Sequence, residues 1–180
     1  PSQWVVKCAS NFSTKEAMML GTAGMTVGLA ILSMADKLPL DKSKAVVSGA
    51  TGGVGSIGVR LLSQLGADVT AITGKMNKRS WLKELGASKV LDRKRFIDST
   101  DHPLNRGKYD IALDVVGGRI LSSIIACMNY DGIITTCGNV GGPQFETSVF
   151  PFIIRSNSLI GIDSAACPIE KKEMIWENFS

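Results

Sequence analysis

The chain has 180 residues, of which 44% are hydrophobic and 20% charged, a composition typical of one globular domain with a sizeable core. Twenty basic and 16 acidic residues give a net charge of +4, and the basic residues are scattered rather than gathered into one run. Nucleic acid is therefore not expected as a partner, because binding a phosphate backbone needs a concentrated basic face.

The cysteines and the histidine do not form a metal-binding pattern. No two cysteines have Cys-x-x-Cys spacing, and the only histidine, His102, lies in a polar segment and is interpreted as a surface residue. A zinc site of ordinary ligand spacing cannot be assembled from them, so no metal is expected. Widely separated cysteines indicate a reduced, cytoplasmic chain. They are Cys8, Cys127, Cys137 and Cys167.

The first predicted element is a long helix near the N-terminus. Ser13 and Glu16 have the spacing of a capping box, so the helix is predicted to begin there. The Gly-Thr pair at 21–22 is expected to interrupt it before it continues to about Ala35. Residues 17–35 carry no charge and are numerous enough to cross a bilayer, but glycines and hydroxyl residues lower their hydrophobicity. We therefore expect a core helix and no membrane contact.

A glycine-rich turn is the most informative motif of the chain. A short run of mostly β-branched residues at 45–48 enters the turn at 49–55, and the turn opens a helix. Glycines let the backbone approach a pyrophosphate, whose charge is stabilised by unpaired N–H groups at the helix N-terminus. The motif predicts a dinucleotide site, and a tight turn that binds nothing is the alternative. The apolar positions of the helix include Val54, Ile57, Leu61, Leu62 and Leu65.

Strands and helices alternate through the rest of the chain. The predicted strands are 69–73, 89–91, 109–115, 132–137 and 158–162, and the predicted helices are 77–85, 119–128 and 169–179. Residues 93–108 are polar and are predicted to form a loop, and a glycine-rich loop follows at 138–143. Six strands in this alternation predict an α/β fold, a doubly wound parallel six-stranded sheet of the Rossmann type.

The end of the second strand bears on the choice of nucleotide. Folds that bind NAD usually carry an acidic residue there, which binds the ribose 2′-hydroxyl. Here the chain reads Thr73-Gly74-Lys75, and Lys78 and Arg79 follow. Lys75 would attract a 2′-phosphate and Thr73 could donate to it, so NADPH is favoured over NADH. A solvated basic loop is the alternative.

Two further side chains end strands at the edge of the sheet where such folds bind ligands. Asp114 ends the fourth strand, and it either touches a ligand or, as is more common, accepts from N–H groups at a helix start. Cys137, followed by Gly138, ends the fifth strand. Cys137 is not expected to be a nucleophile, because no histidine is near it in sequence to activate it.

Short-chain dehydrogenases begin with a similar turn, but their catalytic pattern is missing. They generally carry a tyrosine and a lysine separated by three residues. The two tyrosines of this chain, Tyr109 and Tyr130, are followed four positions on by Leu113 and Ile134. That class fits poorly.

Several stretches together resemble the medium-chain dehydrogenase/reductase family. They are Gly21-Thr22-Ala23-Gly24-Met25-Thr26, the turn at 49–56, Thr73-Gly74-Lys75 and Leu85-Gly86-Ala87. Later stretches resemble its zinc-independent, quinone oxidoreductase-like subgroup, which includes NADPH-dependent acryloyl-CoA reductases. These are the stretches 114–118, 151–155 and 159–164.

The resemblance implies a domain organisation and a set of cofactor contacts. Enzymes of this family have a catalytic domain and a cofactor domain, so residues 1–180 are expected to be one dinucleotide-binding domain, with 1–12 as a linker. The cofactor contacts implied are Thr22, Gly52, Gly53, Val54, Thr73, Gly74 and Lys75. Cys137, Gly138, Ile162 and Ser164 are expected towards the nicotinamide, and Arg79 is added from its charge and position. A homodimer is also possible in this family.

The implied reaction is hydride transfer from NADPH to the β-carbon of an α,β-unsaturated thioester, with protonation at the α-carbon. The protein must orient the two partners and stabilise enolate charge. No catalytic residue is identifiable, and the fragment alone is expected to be inactive. A quinone is the alternative substrate. A module that senses NADPH without catalysis is the alternative of another class.

Overall fold

A six-stranded parallel sheet with helices on both faces forms the structure, a computed structural model that describes residues 5–8, 12–100 and 102–179. The strands are β1 (Lys44–Val47), β2 (Asp68–Thr73), β3 (Lys89–Asp92), β4 (Tyr109–Asp114), β5 (Met128–Thr136) and β6 (Ser158–Gly161). Their order in the sheet is β3-β2-β1-β4-β5-β6, and every neighbouring pair is parallel. The predicted doubly wound α/β fold is confirmed.

Helices connect the strands, as parallel pairing requires. They are α1 (Thr14–Ala35), α2 (Gly53–Gln64), α3 (Arg79–Glu84), α4 (Arg93–Asp98), α5 (Gly118–Ala126), α6 (Phe150–Arg155) and α7 (Ile169–Asn178). A 3₁₀ turn, Met76–Lys78, precedes α3.

Successive residues of a strand point to opposite faces of the sheet, so the two faces have separate cores. Val47 belongs to one core, to which α1, α2 and α3 contribute. Its neighbour Val46 belongs to the other, together with Phe96 of α4 and Ile124 of α5. The central strands are covered on both faces, which explains why their sequences are continuously apolar.

Helix α1 has the predicted start and the predicted interruption. The hydroxyl of Ser13 accepts from the N–H of Glu16 (3.2 Å), and a carboxylate oxygen of Glu16 accepts from the N–H of Ser13 (2.9 Å). Gly21 has φ 43° and ψ −144°, which kinks the helix. Helix α1 is long and apolar enough to cross a membrane, but core helices of soluble proteins also meet these two criteria. Beyond the kink, Val27 and Met34 are fully buried in the core.

The prediction of a loop over 93–108 was wrong at its start, where residues 93–98 form α4. Asp92 caps this helix, since its Oδ1 accepts from the N–H of Arg95 at 3.0 Å. Phe96 anchors the helix on the sheet and is only 4% exposed. The Asp92 cap and the packing of Phe96 and Ile97 therefore stabilise a helix whose charged neighbours made it look unstructured.

Two other boundaries also differ from the prediction. The helix predicted over 119–128 ends at Ala126, and Met128 already begins β5. Helix α6 was not predicted, although Pro151 in its first turn is typical of a helix start. Of the predicted linker 1–12, residues 1–4 and 9–11 lie outside the described residues, and 5–8 have no regular secondary structure.

Candidate functional site

All six strands point the same way, so the loops that follow them lie together at the carboxyl-terminal end of the sheet. The register pairs Thr73 with Asp92, Asp114 with Thr136, and Thr136 with Gly161. The turn after β1 joins this group, because the N–H of Ala50 donates to the carbonyl oxygen of Ile72 at 3.1 Å. In doubly wound folds, ligands bind in the crevice at this end.

The glycine-rich turn after β1 needs glycine for two different reasons. Gly49 has φ +55°, in the left-handed region that favours glycine, and its carbonyl oxygen accepts from the N–H of Gly52 at 2.8 Å. At Gly55 a Cβ atom would overlap the carbonyl oxygen of Gly49, and at Gly58 it would overlap the side chain of Leu113. The first glycine therefore makes the turn, and the two later ones let α2 pack against it and against the sheet.

The start of α2 is open to a bound anion. Gly52 is the N-cap, so no side chain accepts from the first N–H groups of the helix. Gly52 and Gly53 are both exposed, and the nearest atom to a Cβ built at Gly53 is the methyl of Ala23, at 3.7 Å. N–H groups that no side chain caps, beside glycines without side chains, fit a dinucleotide pyrophosphate, and Ala23 of α1 lies next to them.

The end of β2 is joined to the glycine turn. Thr73 is 2% exposed; its Oγ1 accepts from the N–H of Lys75 (3.0 Å) and lies 3.2 Å from Oγ1 of Thr51. Gly74 and Lys75 are exposed beside it, and Arg79 is an exposed residue at the start of α3.

Arg93 is a cation of this region that the sequence analysis missed. A Cβ atom built at Gly74 would lie 3.4 Å from Nη2 of Arg93, so the guanidinium lies against the turn that carries Lys75. Arg93 follows the third strand, and it comes close to Gly74 through the pairing of β3 with β2, which places Asp92 beside Thr73. A basic residue after the strand next to β2 indicates a second charge for the same pocket.

Asp114 links the carboxyl-terminal ends of the central strands. It is fully buried and accepts from the hydroxyls of Ser48 (2.6 Å) and Thr136 (3.0 Å) and from the N–H of Gly117 (2.9 Å). Oγ of Ser48 in turn accepts from the N–H of Val115 at 3.0 Å. Of the two interpretations of Asp114, the structure supports the scaffold, which joins β1, β4 and β5. Ser48 and Thr136 were not singled out in the sequence.

Cys137 is half-buried at the end of β5. Its thiol donates to the carbonyl oxygen of Asp114 at 3.7 Å. Burial raises the pKa of the thiol to about 11, and the nearby Asp114 carboxylate adds to the rise. A thiol that stays protonated at neutral pH is a poor nucleophile, as the sequence analysis expected. Cys137, Gly138 and Ile162 line one open cavity of about 540 Å³.

Thr22 and Ser164 come together at the kink of α1. Oγ1 of Thr26 donates to the carbonyl oxygen of Thr22 (2.8 Å) and lies 2.9 Å from Oγ of Ser164. The N–H of Ile162 donates to the carbonyl oxygen of Thr136 at 2.9 Å, which fixes the start of the same loop. Thr26 is 5% exposed and was missed as a side chain that links α1 to the loop after β6.

Nothing in the described parts of the chain gathers three or more histidine, cysteine, aspartate or glutamate side chains into a group that could hold a metal ion. His102 is exposed and lies in a groove that Arg119 also lines.

Comparison with known proteins decides the family. A profile described as zinc-binding dehydrogenase matches residues 53–178. The chain belongs to this family. It is 40% identical over 181 residues to the putative quinone oxidoreductase YhfP of Bacillus subtilis, and this match covers 100% of the chain and 55% of that protein. It is also 40% identical over 176 residues to the probable acrylyl-CoA reductase AcuI of Escherichia coli, covering 97% of the chain and 53% of that protein.

The chain thus spans about half the length of the curated relatives it matches. With them it falls into the zinc-independent subgroup of the medium-chain dehydrogenase/reductase superfamily, as its motifs predicted.

Solved structures agree with this assignment. The yhdH oxidoreductase of Salmonella enterica in complex with NADP superposes with a TM-score of 0.92 at 37% identity, covering 98% of this chain and 54% of that one. Bacillus subtilis yhfP with NAD bound superposes with a TM-score of 0.95 at 40% identity, covering 99% and 55%. Both of these structures contain a bound dinucleotide, and their folds match that of this chain.

Proposed function

We propose that this chain is the NADPH-binding domain of an oxidoreductase that reduces an α,β-unsaturated thioester such as acryloyl-CoA. The support comes from the start of α2, which is formed by glycines and has no side-chain cap, and from the similarity to an acrylyl-CoA reductase. NADPH, when bound, supplies the hydride. The residues of this chain bind and orient the cofactor and exclude water from its reactive end.

In this proposal, the residues implied by the family resemblance divide into three groups. The N–H groups at Gly53 and Val54 bind the pyrophosphate, and Gly52, whose own N–H donates to Gly49, leaves room for its approach. Gly74, Lys75, Arg79 and the added Arg93 surround the 2′-phosphate. The buried Thr73, predicted from the sequence to donate to it, instead holds the turn that carries Lys75. Thr22, Cys137, Gly138, Ile162 and Ser164 lie towards the nicotinamide.

The observation that carries the preference for NADPH is the position of Arg93 against Gly74, next to Lys75. A carboxylate at the end of β2 would repel a phosphate, whereas two cations attract it. The solved neighbours hold NADP in one case and NAD in another, so the charges at this turn, rather than the fold, support the choice.

Charge-removal variants test the cofactor assignment. Lys75→Ala and Arg93→Ala are each expected to weaken NADPH binding about tenfold and to leave NADH binding unchanged, since each removes a charge-assisted hydrogen bond of about 1.5 kcal/mol. Lys37→Ala, an exposed lysine after α1, is the matched control. Equal losses for NADPH and NADH in the two site variants would contradict the assignment.

The substrate assignment requires the whole enzyme. Oxidation of NADPH by acryloyl-CoA, and not by 1,4-benzoquinone, would support the thioester. The reverse result would favour the quinone, for which the Bacillus subtilis relative is the support. No oxidation with either would favour an NADPH-sensing module.

We also propose that the protein is a cytoplasmic homodimer. Strand β6 is an edge of the sheet, and Ile153 and Ile154 of the preceding helix are 71% and 54% exposed. A second copy that pairs along β6 would cover this apolar patch and complete the edge of the sheet.

A further inference from the structure

A cavity of about 390 Å³ lies at the kink of α1, within the size range of small-ligand sites. Thr22 and Ser164 line it with hydroxyls, and Met18, Met25 and Trp176 line it with apolar surface. Lys172 of α7 supplies the cation of this lining.

The packing of α7 explains why Lys172 is there. Ile175 lies against α1 so closely that a Cβ atom built at Gly28 would be 2.5 Å from its Cγ2. Residues three and four positions apart share a helix face, so Lys172 lies on the same face as Ile175 and Trp176, one turn nearer the N-terminus. Its charge is therefore carried on the face that packs inwards.

Lys172 differs from its charged neighbours in burial. It is half-buried, whereas Glu170, Lys171 and Glu173 are exposed. Across residues 5–8, 12–100 and 102–179, the ion pair found is that of Lys42 with Asp41, and Lys172 has no carboxylate within ion-pair distance. An ammonium group in the lining of the cavity, with no carboxylate paired to it, is available to an anion bound there.

The proposed reaction generates such an anion. Hydride addition to the β-carbon moves the C=C electron pair onto the carbonyl oxygen, and the resulting enolate takes up one proton from water at its α-carbon, while NADPH becomes NADP⁺. Negative charge therefore appears on one oxygen, attached to a small apolar carbon skeleton. An apolar cavity with one cation and two hydroxyls matches that distribution.

We propose that Lys172 is a catalytic residue, whose ammonium group stabilises the developing oxyanion of an unsaturated carbonyl substrate held in this cavity. The inference rests on the proposed function, since Thr22 and Ser164 are its residues towards the nicotinamide. Thr26, which joins the two, is a positioning residue.

Propionate and propionamide are a matched pair of probes for this site, because they have the same shape and differ in charge. In the NADPH-bound chain, followed by the indole N–H resonance of Trp176, propionate is expected to bind at least tenfold more tightly than propionamide. Lys172→Ala should remove that preference, Lys172→Arg should keep most of it, and Lys171→Ala should leave it unchanged.

Three results would overturn the inference. They are equal binding of the two probes, equal losses in the Lys171 and Lys172 variants, and a loss of NADPH affinity in Lys172→Ala as large as that in Lys75→Ala, which would make Lys172 a cofactor residue. Propionate binding without NADPH binding would instead remove the proposed function and leave the anion subsite. In the whole enzyme, Lys172→Ala should lower kcat about 10²-fold with little change in the KM for NADPH.

Discussion

Gly53 and Gly55 lie two residues apart in the glycine turn and have different duties. A Cβ atom at Gly55 would overlap the carbonyl oxygen of Gly49, whereas at Gly53 it would meet only the methyl of Ala23 at ordinary contact distance. Gly55 is therefore required by packing within the fold, whereas Gly53 is open at the start of α2. Pattern matching in the sequence cannot separate these roles, because both residues are simply glycine.

Alanine substitutions separate the two duties. Gly55→Ala is expected to lower the free energy of unfolding by about 1–3 kcal/mol, because the backbone of the turn must move. Gly53→Ala should change it by less than about 0.5 kcal/mol but should weaken NADPH binding, since its methyl group occupies the face open to the pyrophosphate. Urea unfolding and calorimetric titration measure the two effects, and a stable Gly55→Ala would contradict the packing argument.

Cys137 provides a test of the electrostatics of the edge. Because burial raises the pKa of its thiol to about 11, from an ordinary value of 9.0, the thiolate is scarce below pH 9 and increases as the pH rises towards 11. Alkylation requires the thiolate, so iodoacetamide should modify Cys137 roughly a hundredfold more slowly at pH 8 than an unperturbed thiol. Peptide mass spectrometry compares its rate with that of a short cysteine peptide under the same conditions, and equal rates would contradict the burial of Cys137.

At the scale of elements, the contact between α1 and α7 determines whether the cavity at the α1 kink exists. Gly28 is the point of closest approach, and Ile175, 2% exposed, fills the space over it. Of the small residues that made α1 look like an interrupted membrane helix, Gly28 is explained by this packing. Helix α7 would have to move away if the space over Gly28 were filled.

Gly28→Val is therefore expected to destabilise the fold by about 1–3 kcal/mol through overpacking, and to disturb the indole resonance of Trp176. Gly161→Ala is the matched control, because nothing lies within 4 Å of the added Cβ. Thermal unfolding followed by circular dichroism measures the difference. Equal stability of the two variants would mean that α7 does not pack on Gly28 as described.

Much of the element order was predictable, and the exceptions have physical causes. The strands and α2 were found because β-branched runs and glycine turns are local signals. Helix α4 was missed because its packing comes from contacts distant in sequence, chiefly the burial of Phe96 on the sheet. Arg93 was missed for the same reason, since its position beside Gly74 follows from strand pairing rather than from its sequence neighbours.

At the scale of the whole molecule, the sheet has two edges of different character. The β3 edge carries the cations proposed for the 2′-phosphate, and the β6 edge carries the exposed isoleucines of α6. A domain with this asymmetry would bind its cofactor at the carboxyl ends of the strands and would pair with a second copy along the edge strand β6.

Ile154→Lys tests the second half of that statement. If copies pair along β6, the wild-type chain should sediment as a dimer and Ile154→Lys as a monomer, since a buried lysine opposes association. Met19→Lys, at an exposed apolar position on α1, controls for the added charge. A wild-type chain that remains monomeric at concentrations of about 100 µM, well above the Kd of an ordinary stable interface, would contradict the dimer.

The central claim is that this fold binds NADPH through the start of α2 and the cations beside Gly74. Calorimetric titration of the unaltered chain with NADPH and, separately, NADH tests it most directly. The account predicts binding of both, with NADPH at least tenfold tighter, because only NADPH carries the phosphate that Lys75 and Arg93 would contact. Equal affinities, or tighter binding of NADH, would contradict it.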